Sequence, residues 1–206
     1  MNQVAAKQRT SWRVVDIVVA SVIAVASGVI FWAWSAGMPL FSLAFVAFPP
    51  AAALLTGVWL FPAVLGALII RKPGAAVFCE LLAAIIEALL GSHYGLSVIV
   101  SGLVQGLGAE LVFAIFRYRK WNLSVALIAG FFTGIFAGIS EAYILAYYVE
   151  YTSALKILHV LITGVSGLII AGLLSWLATR GLAKTGALSA LASRRAHLES
   201  GKLDAK

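Results

Sequence analysis

The run AAVFCELLAAIIEALL, residues 75–90, sets Glu80 and Glu87 in an otherwise wholly apolar stretch with no Lys or Arg to neutralise them. At helical pitch the two carboxylates lie two turns apart on one face. Glu110 and Glu141 repeat the placement in later apolar runs. A charged side chain at a bilayer centre costs roughly 2.5–3.5 kcal/mol on insertion scales, so such groups usually face a protein interior, a cavity or a ligand. The stretch therefore predicts a membrane-embedded helix bundle with an anionic interior.

Composition points the same way. Of 206 residues, 62% are hydrophobic and 11% charged, with a mean hydropathy of +1.02; an ordinary soluble domain is near one-quarter charged. A span takes about 20 apolar residues, so the length predicts one all-α integral membrane domain of six helices. The net charge of +7 would suit nucleic acid in a soluble protein, but here the basic residues fall at span ends, which excludes that partner and makes lipid the surrounding medium. Cys79 is the sole cysteine, which excludes an internal disulfide and a cysteine-based metal cluster. The first apolar run follows Lys7, Arg9 and Arg13, yet is too long for a signal-peptide core and is read as the first span.

Breaks at Pro, Gly and charge give six runs, 12–36, 50–70, 75–90, 96–116, 123–148 and 155–179. The segment 38–48, edged by Pro39 and Pro49, is too short to cross and reads as a loop or re-entrant cap. Basic clusters at Lys7/Arg9/Arg13, Arg71/Lys72, Arg117/Arg119/Lys120 and Arg180/Lys184/Arg194/Arg195 all share one side under this count, with only Lys156 opposite. By the positive-inside rule that side is cytoplasmic and holds both termini. The expected organisation is a cytoplasmic N-terminus over 1–11, a six-helix membrane domain over 12–182 and a polar, frayed cytoplasmic tail over 183–206.

Small residues recur at packing spacing. Ala20, Ala24 and Gly28 form one stripe and Gly130, Gly134 and Gly138 another, each suited to close helix contact within the chain or with a partner subunit.

Depth sorts the remaining polar groups. Glu87, Gln105 and Glu141 converge in the outer half, where Trp34, His93, Tyr94, Tyr148 and His159 also lie. Tyr148 follows Glu141 by seven residues, and Tyr94 follows Glu87 likewise, so continued helices would align each pair on one face. Carboxylates beside aromatic rings suit a flat amine-bearing or cationic ligand, because the carboxylate accepts from the amine while rings cover its faces. These eight residues are the candidate substrate site. Trp32 and Tyr147 read instead as interfacial belt residues. Glu80 and Glu110, nearer the cytoplasm, read as structural groups satisfied by neighbouring helices or by Arg71 or Arg117.

No HExxH, GxSxG or Walker A pattern occurs, so the sequence predicts no catalytic residue, metal site, cofactor or ATPase activity of its own.

The residues Trp59-Leu60-Phe61-Pro62-Ala63, Ile69 to Ala75, Glu80, Glu87 to Ser92, and Gly102, Gln105, Gly106 and Glu110 resemble the YkoE family. These are substrate-binding S components of energy-coupling factor (ECF) transporters, an ABC-type class of vitamin importers. The resemblance runs from about Trp12 to Thr179. It implies a six-helix subunit of the bacterial plasma membrane that captures thiamine or its precursor hydroxymethylpyrimidine (HMP) outside. It also implies partners: a transmembrane coupling (T) subunit and a pair of cytoplasmic ATPases. Ala20 and Ala24, with Gly28 continuing their stripe, match an Ala-x-x-x-Ala pattern associated with docking. A self-contained secondary transporter of an amine-bearing solute, or a membrane-embedded enzyme using Glu87 or Glu141 as base, are the competing readings.

Overall fold

The computed structural model describes residues 11–198, and Lys7, Arg9 and the tail beyond Leu198 lie outside the described residues. Its helices are α1 (Val14–Phe41), α2 (Phe61–Ile70), α3 (Ala75–Leu89), α4 (Ser97–Ile115), α5 (Leu123–Ile139), α6 (Ser153–Ser166) and α7 (Ser175–Lys184). Irregular turns extend several of them. A 3-10 segment, Pro49–Trp59, leads into α2; a π turn, Ser140–Ile144, ends α5; and a π segment, Gly167–Leu174, joins α6 to α7.

Among the described residues, five stretches are long and apolar enough to cross a membrane: Val14–Phe45, Pro49–Ile70, Ser97–Ile115, Leu123–Ile144 and Ser153–Lys184. The sixth helix, α3, has only 15 residues and spans about 22 Å at 1.5 Å per residue. It packs between α1 and α4, completing an all-helical six-helix membrane bundle.

The expected boundaries shift at three places. Residues 38–41 are the last turn of α1 despite Pro39, and only Ser42–Phe45 and the turn after it depart from that helix. The fifth span stops at Ile144, so Tyr148 does not share a helical face with Glu141. Likewise α3 ends at Leu89 and the chain turns at Gly91, where φ is 87°; Tyr94 is in a turn, not on a continued helix.

Side-chain size decides which faces meet. On α4, Leu103, Leu107 and Leu111 are exposed for lipid, while Gly102, Gly106 and Ala109 on the other side are buried. A Cβ on Gly106 would lie 2.9 Å from the Val77 Cα of α3. The α5 stripe is tighter: a Cβ on Gly134 would stand 2.2 Å from the Thr163 carbonyl oxygen. Both stripes are internal seams of the bundle. Ala20, Ala24 and Gly28, the stripe expected to dock a partner, pack within the chain: Ala20 and Ala24 are fully buried, and a Cβ on Gly28 would meet the Ala83 carbonyl of α3 at 2.7 Å.

Two carboxylates, Glu80 buried and Glu110 half-buried, cap helices of the bundle. Glu80 Oε2 accepts from the Ala63 N–H at 2.8 Å, just after Pro62, which has no N–H to offer the first turn of α2. Glu110 accepts from the N–H groups of Gly74 (2.5 Å) and Ala76 (3.0 Å) at the start of α3 and from the Tyr118 hydroxyl (2.7 Å). Both act on helix starts, as the structural reading of the sequence suggested, through backbone N–H groups and, at Glu110, the Tyr118 hydroxyl, while the buried Glu80 Oε1 has no hydrogen-bond partner among the described residues.

The basic clusters gather at one end. Asp16, fully buried, pairs with Arg13 at 2.9 Å and with Lys72, and Trp12 Nε1 donates to the Pro73 carbonyl at 2.9 Å. The described residues after α7, up to Leu198, pack onto this end. Leu188, Leu191 and Ala196 are buried there, Ser193 Oγ donates to the Ile69 carbonyl at 2.7 Å, and Arg13 donates to the Ala190 carbonyl at 2.9 Å.

Candidate functional site

At the opposite end, the 3-10 segment before α2 is pinned by side chains that satisfy its backbone. Ser166 Oγ donates to the Leu54 carbonyl (2.5 Å) and accepts from the Gly57 N–H (2.9 Å). Trp34 Nε1 donates to the Leu55 carbonyl at 3.2 Å. Held this way, Thr56 and Trp59 line a cavity of about 630 Å³, mouth included.

Glu87, in the last turn of α3, enters the cavity with its orientation fixed. The hydroxyls of Ser35 (2.5 Å) and Ser92 (2.9 Å) both donate to Oε1. Among the described residues neither bond involves Oε2, which leaves that oxygen for another donor. Glu141 enters from the π turn after α5, an irregularity frequent at functional sites. Its Oε2 lies 2.8 Å from His159 Nε2. Val98, Ser101 and Gln105 add one face of α4.

Aromatic rings close the space. Trp59 meets Tyr94 edge-on at 6.1 Å, Tyr94 stacks on Tyr147 at 5.9 Å, and Tyr148 stacks on Tyr151 at 4.9 Å. Ser97 and Tyr147 hydroxyls, 2.5 Å apart, tie the α3–α4 turn to the α5–α6 turn. Burial pushes the Tyr94 phenol up to about 12, and burial followed by the Glu141 charge pushes Tyr148 up as well. Both stay neutral hydroxyls at physiological pH, able to donate as well as to accept.

Of the eight residues singled out in the sequence, Glu87, Tyr94, Gln105, Glu141 and Tyr148 line this cavity. The other three stand apart from it. Trp34 lies behind Trp59, with ring centres 6.5 Å apart. His159 is buried behind Tyr148 at 4.4 Å and holds Glu141. His93 lines an adjoining outer hollow with Met38, Phe45, Tyr94, Tyr148 and Tyr151. Sequence reasoning missed Trp59, Ser101 and Thr56, and it assigned Tyr147, which also lines the cavity, to the interface. The break at Pro62 was the available signal for Trp59.

A family described as ABC-type cobalt transport system, permease component, matches residues 15–136. A Bacillus subtilis (strain 168) relative named as an HMP/thiamine permease protein, YkoE, is 35% identical over 184 residues, covering 88% of this chain and 90% of its own. A crystal structure of an S-component of an ECF transporter superposes with a TM-score of 0.81 at 34% identity, covering 92% of this chain and all of that one. The chain belongs to the YkoE family of ECF S components. A YkoE-family fold is that of a transport subunit, not an enzyme, and it makes this chain a multi-pass membrane protein. Among the described residues, no group of three or more His, Cys, Asp or Glu is placed to hold a metal ion.

Proposed function

We propose that this S component captures a small, flat, amine-bearing ligand of the HMP/thiamine class in the cavity between Glu87 and Glu141. The observation that carries this reading is the half-committed state of the two carboxylates. Each has one oxygen held by the protein, Glu87 by Ser35 and Ser92 and Glu141 by His159, so each is oriented before a ligand arrives, and orientation in advance reduces what binding costs. An exocyclic amine donates to the second oxygen while Trp59, Tyr94 and Tyr148 cover the rings. The name of the Bacillus subtilis relative supports the same ligand class.

The aromatic end faces outward in this reading, and the basic end, with both termini, faces the cytoplasm of a cell whose plasma membrane the chain spans. Uptake is driven by partners, a transmembrane coupling subunit and ATPase subunits, because an S component supplies the binding site and not the energy. Titration of the purified full chain with thiamine and with HMP, followed by tryptophan fluorescence, tests the reading, since Trp59 lines the cavity and Trp34 backs it. Saturable quenching or enhancement with either ligand is expected. No response, together with no binding by calorimetry, contradicts it.

A further inference from the structure

Glu80 lies one turn below the cavity. Ala84 and Glu87 of α3 line that space, and Glu80 continues their face of the helix downward. It is fully buried; its Oε2 takes the Ala63 N–H at 2.8 Å, and its Oε1 has no hydrogen-bond partner among the described residues. Three helices pack against α3, namely α1, α2 and α4. α2 carries no ionisable side chain. The only one in α4 is Glu110, which caps the start of α3, and the only one in α1 is Asp16, held by Arg13 and Lys72. Arg71, which follows α2, donates to the Leu68 carbonyl and faces the Trp121 ring. α3 itself adds only Glu87 and the buried thiol of Cys79. Among the described residues no ion pair reaches Glu80, and carboxylates lie both above and below it.

An ionised carboxyl group in this place would keep one buried oxygen with neither a donor nor a counter-ion. Burying such a charge is so costly that a group takes up a proton instead, and like charges nearby add to the cost. We infer that Glu80 is a buried proton-binding site: Oε1 carries a proton, and the residue caps α2 as a neutral carboxylic acid. Oε2 remains a carbonyl oxygen in that state and still accepts from Ala63, so the cap and the proton coexist. α3 then holds at most one negative charge, at Glu87, about 10.5 Å above Glu80 at 1.5 Å per residue. Resting on the ligand class proposed above, a cationic ligand meets Glu87 and Glu141 with no third charge beneath them.

Infrared spectroscopy of the full chain in detergent tests the site, because the C=O stretch of a carboxylic acid stands apart from the bands of a carboxylate. At about pH 8, where ordinary carboxyl groups are ionised, the unaltered chain is expected to show an acid band that Glu80→Gln lacks and Glu110→Gln keeps. Identical spectra in the acid region for the unaltered chain and Glu80→Gln overturn the proton site, and leave a carboxylate whose second oxygen a buried water meets. Should Glu80→Gln not assemble, Glu87→Gln/Glu141→Gln keeps Glu80 and removes both cavity carboxylates; an acid band that persists there supports the proton, and its absence overturns it. Affinity gives a second readout. Gln reproduces the neutral acid, so Glu80→Gln is expected to bind thiamine and HMP as the unaltered chain does. An ionised Glu80 would attract a cation at Glu87, and its loss would weaken thiamine about tenfold at an effective dielectric constant of about 20 while sparing uncharged HMP; that result also overturns the proton site. If the unaltered chain binds neither ligand, the ligand class fails, and the infrared spectra still decide on the proton.

Discussion

The Ala63 N–H donates to Glu80 Oε2 at 2.8 Å, so a carboxylate of α3 completes the first turn of α2 inside the bundle. Pro62 stops the 3-10 segment from running on as a regular helix, and Glu80 meets the donor that the break exposes. The break matters to the site because Thr56 and Trp59 lie just before it. Replacing Glu80 by Ala leaves a buried donor unpaired, at about 1–3 kcal/mol. Glu80→Gln keeps an acceptor. The expected result in detergent melts is a clearly lower midpoint for Glu80→Ala than for Glu80→Gln; equal losses would show that the cap is not what Glu80 supplies.

Glu110 does the same for α3 at the basic end. Glu110→Ala removes acceptors from Gly74, Ala76 and Tyr118, and loss of a cap costs about 0.5–2 kcal/mol. The Tyr118 phenol, raised by burial and then by the Glu110 hydrogen bond and charge, returns toward its ordinary range. Ultraviolet titration of Glu110→Ala against the unaltered chain should show one tyrosine ionising earlier.

Alkaline pH should weaken the aromatic end. Tyr94, raised to about 12 in the fold, ionises near 10 when unfolded. A raised value means that its contribution to stability is complete below about pH 10 and is lost as pH climbs toward 12. Melting midpoints taken from pH 8 to 11 should fall less steeply in Tyr94→Phe than in the unaltered chain.

The α5 seam leaves no room for a side chain at Gly134. In Gly134→Ala the new methyl would stand 2.2 Å from the Thr163 carbonyl, whereas at Gly181 of α7 nothing lies within 4 Å. Gly134→Ala is expected to lower the melting midpoint sharply. Gly181→Ala should leave it unchanged or raise it slightly, since Ala is favoured over Gly in a helix by about 1 kcal/mol.

Apolar run length made the helices legible in the sequence, and charge at the run ends placed their polar groups by depth, which is how Glu87, Gln105 and Glu141 came together. Periodicity carried less than it promised. Tyr94 and Tyr148 reach the cavity through turns, and a helical projection of Glu87 or Glu141 reaches them only by coincidence. Trp59 was hidden because a 3-10 segment turns its side chains at a different angle from an α-helix. The small-residue stripe on α1 announces a close neighbour, but sequence does not say whose; the neighbour is α3. Hydrogen bonds that orient a carboxylate, such as Ser35 to Glu87 across 52 residues, leave no local pattern. Packing of Leu188 and Leu191 under the basic end was masked by the polar residues around them.

The most direct test of the site is the affinity of three variants for thiamine and HMP, measured on the full chain in detergent. Glu87→Gln and Glu141→Gln should each weaken binding at least about tenfold, as loss of a charge-assisted hydrogen bond of about 1.5–3 kcal/mol requires, while Glu110→Gln stays close to the unaltered chain. Equal affinities in all three would contradict the account.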